Sequence, residues 1–188
     1  AAMRALPFGW ATPVAASAQR RELTIRLSRT THGAPAAIVS ACVVAEMAAW
    51  AVEQHPIEAV VAAGLGEADE LTKRFALDPA TTRPLRVAAD GDLGSITEEG
   101  MTLDAVATLA IVLLVLRHAT GLASAMKHAV ALGGDTDTAA AIVGGILGSQ
   151  ARDVEDEIPW LSSVLLPEPE IVEATAARLC GLRRSFHR

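Results

Sequence analysis

The chain has 188 residues, 51% of them hydrophobic and only 3% aromatic, with 16 Lys and Arg against 22 Asp and Glu for a formal net charge of -6. That length suits one domain with a substantial core. The acidic balance argues against a nucleic-acid surface as its main business, because a backbone-binding face needs clustered Lys and Arg.

In chain order, the first strong pattern is a helix opening around Thr31 and Pro35 and running to about Gln54. Ile38, Val39, Cys42, Val43, Glu46, Met47 and Trp50 include the i, i+3, i+4 stripe of a core-facing helix. Two short helices follow, from Pro56 to about Ala63 and from Glu67 to about Phe75. From Asp78 to Ser95 the chain gathers Pro79, Pro84, Gly91 and Gly94 among Asp, Thr and Arg, the composition of a loop, with Leu85 to Val87 as a short extended piece. An apolar helix from about Met101 to Arg117 comes next. Its run Leu109 to Leu116 is flanked by Asp104 and by Arg117-His118, so it falls short of the roughly 20 residues of a membrane span and reads as a buried helix. Gly121 separates it from a helix over Leu122 to Leu132, and a further helix, Ala139 to Leu147, is rich in Ala and Gly. An acidic turn over Asp153 to Glu157, one helical turn over Pro159 to Leu165 and a terminal helix from Pro167 to Arg184 complete the chain. That last helix carries Ile171, Thr175, Leu179 and Leu182 on one face. No segment shows convincing strand alternation, so the expected class is all-α, a compact orthogonal multi-helix domain. Cys42 and Cys180 lie far apart within helical patterns without metal-ligand spacing, which reads as two reduced core thiols in a cytoplasmic protein.

Between two of these helices stands Gly133-Gly-Asp-Thr-Asp-Thr138, the densest set of hard oxygen donors in the chain. The two glycines break one helix and the acidic cluster opens the next, with Asp137 as its N-cap. Carboxylates at i and i+2 across a non-helical turn, with the Thr138 hydroxyl beside them, can converge on Mg²⁺, Mn²⁺ or Ca²⁺ and do not suit Zn²⁺. The same letters also serve as an ordinary helix start that needs no metal, and the residues alone leave both readings open. Two look-alike motifs fail on spacing. An EF-hand loop would need a donor where Ala139 stands and a Gly where Ala140 stands. A phosphatase-type Asp-x-Asp-x-Thr would need Thr at position 139 and a preceding strand.

On these residues the chain resembles the ADP-ribosylglycohydrolase family. Gly133 to Thr138 and the following Ala139 to Gly148 look like the family's C-terminal metal motif and its helix. Ala1-Ala2-Met3-Arg4-Ala5-Leu6-Pro7 is similar to the end of its Gly-Asn-Gly-x-x-Met-Arg-x-x-Pro element, and Thr30-Thr31-His32 to its Thr-His segment. The resemblance implies metal-dependent hydrolysis of an N- or O-glycosidic bond to ADP-ribose. Asp135, Asp137 and Thr138 would be ligands to two divalent cations, Mg²⁺ or Mn²⁺, and His32 would line the ADP-ribose pocket. A helix-start histidine bonded to backbone is the alternative for His32, and Arg4 is open between facing phosphate and anchoring its own loop. His55, His118, His128 and His187 read as surface residues.

The family's Gly-Asp-Ala-x-Gly element with its catalytic acid, and its Thr-Asp-Asp metal motif, do not occur in residues 1–188. The expectation is therefore a C-terminal portion of a single such domain, with no catalytic residue of its own, inactive as an isolated fragment and completed by an N-terminal fragment or companion chain. Its other partner would be an ADP-ribosylated substrate, with no membrane and no nucleic acid. Ligand counting points the same way, since an octahedral cation takes about six oxygens and three protein groups cannot complete two shells. A non-catalytic binding or structural protein on the same scaffold is the competing class. An all-α nucleotide pyrophosphohydrolase fits less well, because Glu98-Glu99 and the Asp153 to Glu157 cluster lack the Glu-x-x-Glu spacing.

Overall fold

A computed structural model describes residues 1–92, 104–166 and 168–186. Among the described residues every regular element is helical, as expected of an all-α domain. In chain order they are a 3-10 turn (Ala2–Ala5), α1 (Leu6–Ala11), a second 3-10 turn (Val14–Ala16), α2 (Ser17–Ser28), α3 (Pro35–Val52), α4 (Ile57–Arg74) and α5 (Pro79–Ala89). Then come α6 (Ala105–Arg117), α7 (Leu122–Ala131), α8 (Thr136–Gly148), α9 (Val154–Glu157), a 3-10 turn (Leu161–Ser163) and α10 (Pro169–Ser185).

The centre is α3. Pro35 occupies its first turn, where the missing N–H is not needed. Thereafter nearly every residue from Ala37 to Ala51 is buried, because α1, α2, α4, α6 and α8 surround it. A helix apolar all round is a core helix. That enclosure explains why its 18 residues match the length and hydropathy of a membrane span. Its partner α6 buries Leu109 through Leu116, as the flanking charges predicted, and Asp104 caps it by accepting from the N–H groups of Val106 (2.8 Å) and Ala107 (3.1 Å). The expected start of this helix at Met101 lies outside the described residues.

Small residues set the closest approaches. A Cβ on Gly9 of α1 would fall 2.6 Å from the Ala48 Cβ and 2.8 Å from the Ala49 nitrogen, and would also strike the Ala45 carbonyl oxygen. Glycine to alanine inside an exposed helix normally gains about 0.5–1 kcal/mol. Here the obstacle is backbone, which cannot rotate away, so overpacking dominates. Gly9→Ala is expected to destabilise by about 1–3 kcal/mol in urea unfolding, and an unchanged midpoint would refute that contact.

Two expectations are corrected. The predicted pair of short helices is one continuous α4 running through Gly64 and Gly66. Gly64 is there for packing, since a Cβ on it would lie 2.7 Å from Met47 Cγ of α3. The predicted loop from Asp78, with its extended piece at Leu85 to Val87, is helix α5. Asp78 caps it by accepting from the Ala80 N–H (2.9 Å), Pro79 sits in the first turn, and Leu85 and Ala88 are fully buried against α6. Pro84 in the interior costs about 3 kcal/mol, which the capped start and burial of Leu85, itself worth about 1.5–3 kcal/mol, offset. Gly94 and Ser95 lie outside the described residues.

The buried face of α2 is mostly polar. Arg20, 1% exposed, donates from Nε to Glu46 Oε2 (3.1 Å), from Nη2 to the same oxygen, and from Nη1 to the Pro13 carbonyl (2.8 Å). Ser17 Oγ also donates to Glu46 Oε2 (3.2 Å), and Trp50 Nε1 donates to Oε1 (2.9 Å). Arg21 forks onto Glu67 of α4 with two bonds of 2.7 Å. These pairs tie α2 to α3 and α4 where apolar side chains are few.

The cysteines part company. Cys42 is a core thiol, and burial pushes its pKa up to about 12. Cys180, expected in the core, is exposed on α10, a helix with no buried residue. The apolar face foreseen for that helix exists, but Ile171, Val172 and Leu182 are each more than half exposed. What attaches it is Arg183. Its guanidinium donates to the carbonyls of Gly9 (3.0 Å), Trp10 (3.2 Å) and Thr12 (2.7 Å) at the end of α1 and pairs with Glu53.

Candidate metal and ligand cleft

The acidic motif lies where α7 turns into α8. Gly133 and Gly134 have φ of 82° and 75°, the left-handed region that side chains disfavour, so two successive glycines reverse the chain there. Helix α8 then begins at Thr136. Its N-cap is Asp135, not Asp137, which lies in the first turn. The Asp135 side chain makes no capping hydrogen bond to the helix. The Asp137 carboxyl is instead held below the ordinary carboxylate range, first by a hydrogen bond with Asp135 and then by the N–H of Thr138 and its own.

Four segments meet in front of α8. A cleft of about 550 Å³ is lined by Ala1 to Arg4 of the N-terminal turn, by His32 and Ala34 from the α2–α3 connection, by Asp104 and Thr108 of α6, and by Asp135 and Thr138. Three of the four residues singled out in the sequence, His32, Asp135 and Thr138, therefore share one cleft although 106 residues separate the first from the last. Asp137 is exposed and does not line it. The volume is within the range of small-molecule sites, about 300–1,000 Å³.

Another part of the cleft lining is joined by hydrogen bonds. Arg4 Nη2 donates to Thr31 Oγ1 (2.6 Å), Thr31 Oγ1 lies 2.8 Å from His32 Nδ1, and His32 Nε2 lies 3.0 Å from the main-chain nitrogen of Ala1. His32 lines the cleft, and its Nδ1 bonds the neighbouring Thr31 hydroxyl. Arg4 likewise lines the cleft while anchoring to Thr31. Of the other histidines, His118 is exposed, His55 and His128 are half-buried, and His55 stacks on Trp50 at 4.5 Å between ring centres. His187 lies outside the described residues.

A family model described as ADP-ribosylglycohydrolase matches residues 1–185. The chain belongs to the ADP-ribosylglycohydrolase family. Comparison with curated proteins and with solved structures returned no match. The family is one of glycoside hydrolases, so a glycohydrolase-type function follows at that level.

The donor chemistry of this ADP-ribosylglycohydrolase-family chain fits hard divalent cations. Two carboxyl groups within hydrogen-bonding reach repel each other when both are ionised, and a proton or a cation between them relieves the repulsion. A hydroxyl completes an all-oxygen set, which suits Mg²⁺ or Mn²⁺. The set is small, however. Among the described residues no three His, Cys, Asp or Glu side chains converge as a metal cage. Asp104 is a charged cleft residue that the sequence gave no reason to place there. Its capping position before an apolar helix was legible, but only the packing of α6 beside α8 brings it to the motif.

Proposed function

We propose that this protein hydrolyses an N- or O-glycosidic bond to ADP-ribose on a modified protein or small molecule, with two divalent cations, Mg²⁺ or Mn²⁺, held in part by Asp135, Asp137 and Thr138. The observation that supports the reading is that one cleft joins Asp135 and Thr138 of the acidic motif to an arginine and a histidine. ADP-ribose has matching halves, a vicinal diol at the ribose and a pyrophosphate carrying negative charge. Bound divalent cations would polarise water and orient the ribose hydroxyls. Asp135 and Asp137 supply negative charge beside the sugar, where an oxocarbenium-like transition state builds positive charge. Arg4 presents guanidinium N–H groups to the anionic end, and His32 forms part of the wall against which the ligand lies.

Two octahedral shells take about twelve oxygens, far more than these three residues provide. In this reading water, substrate and an additional polypeptide, an N-terminal fragment or companion chain, supply the remainder together with the catalytic acid. The test is release of free ADP-ribose from ADP-ribosyl-arginine, ADP-ribosyl-serine and small-molecule conjugates by the protein as isolated from its source, with any chain that accompanies it. Release is expected to stop in EDTA and to return with Mg²⁺ or Mn²⁺. Undiminished release in chelator would remove the metal assignment, and no release from any conjugate would favour a non-catalytic scaffold.

A further inference from the structure

Part of the cleft lining is joined by hydrogen bonds of its own. Arg4 Nη2 donates to Thr31 Oγ1 at 2.6 Å. The same oxygen lies 2.8 Å from His32 Nδ1, within hydrogen-bonding distance. One hydroxyl therefore joins the guanidinium to the imidazole.

We infer that Thr31 is a positioning residue for the cleft: its hydroxyl, accepting from Arg4 and hydrogen-bonded to His32, fixes the guanidinium and the imidazole in one arrangement relative to Asp135 and Thr138. Two consequences follow for the ligand. Arg4 gives one N–H to Thr31 and keeps its other donors for an anion such as pyrophosphate. His32, with its Nδ1 engaged by Thr31, offers a ligand its ring face. Thr31 is exposed and does not support the core, so removing its hydroxyl alters the arrangement of these side chains without unfolding the chain.

This inference rests on the ADP-ribose reading for its affinity arm and stands apart from it in its spectroscopic arm. The experiment compares the wild-type chain with Thr31→Val and Thr31→Ser, reading ADP-ribose affinity by calorimetry and the His32 ring nitrogens by ¹⁵N NMR. Thr31→Val weakens ADP-ribose at least tenfold and shifts the Nδ1 resonance; Thr31→Ser keeps affinity within twofold and the wild-type spectrum; melting temperatures of all three agree. Arg4→Met reproduces the affinity loss, because the guanidinium is what Thr31 aims. Equal affinity of wild type and Thr31→Val overturns the inference. Absence of ADP-ribose binding by wild type counts against the proposed function alone. The ¹⁵N comparison then decides: a resonance moved by Val and kept by Ser upholds the role of Thr31, and one that neither change moves refutes it.

Discussion

Replacing Asp137 with alanine is expected to lower ADP-ribose release about a thousandfold while leaving the fold as it was. The kinetic loss follows from the proposed metal role of Asp137: a cation that polarises water and sugar would contribute several kcal/mol to the transition state, and about 4 kcal/mol corresponds to three orders of magnitude. Retention of the fold follows from position. Asp137 is exposed in the first turn of α8 and takes no part in the core. The discriminating measurement pairs turnover with Mn²⁺ binding, followed by loss of the free-ion EPR signal. Turnover and Mn²⁺ affinity should fall together at an unchanged melting temperature. A variant that keeps both would reduce Asp137 to a helix-start residue.

Glu46→Ala is expected to destabilise the chain by about 3–5 kcal/mol, a large share of what a domain of this size possesses. The carboxylate sits on the central helix and receives Arg20, Ser17 and Trp50. Its removal strands a guanidinium that is 1% exposed and an indole N–H, and an uncompensated buried charge is far more costly than the loss of one attraction. The double variant Arg20→Met/Glu46→Leu should lose less than Glu46→Ala alone, because it removes both charges and fills the space. Urea unfolding of the two variants decides the matter. A double variant that is the less stable of the two would show that the ion pair is a net source of stability and not chiefly a matter of matched partners.

How far these features were legible depended on whether the cause was local. Helices α3 and α6 announced themselves because enclosure demands apolar residues all round, and the glycine pair announced the turn before α8 because few other residues accept positive φ. Helix α5 was hidden by Pro84 and by its Thr and Arg content; what makes it a helix is a capping aspartate together with Leu85 and Ala88 packed on α6, a partner distant in sequence. Helix α2 was hidden for another reason. Its inward residues Arg20, Thr24 and Ser28 are polar, so no hydrophobic period marks it. At the cleft, Asp135, Thr138 and His32 could be singled out from their motifs. Asp104 in the cleft and Thr31 between Arg4 and His32 could not, since each acquires its place only from the packing of segments remote in the chain.

Helix α10 has no buried residue and is held largely through one guanidinium on the last carbonyls of α1. Its local opening free energy is therefore set by a few charge-assisted bonds and lies well below that of the core. When it frays, α1 loses the donor that satisfies its C-terminal end. Since α1 runs directly into the turn bearing Arg4, solvent exchange at the tail and mobility of the cleft wall belong to one coupled fluctuation.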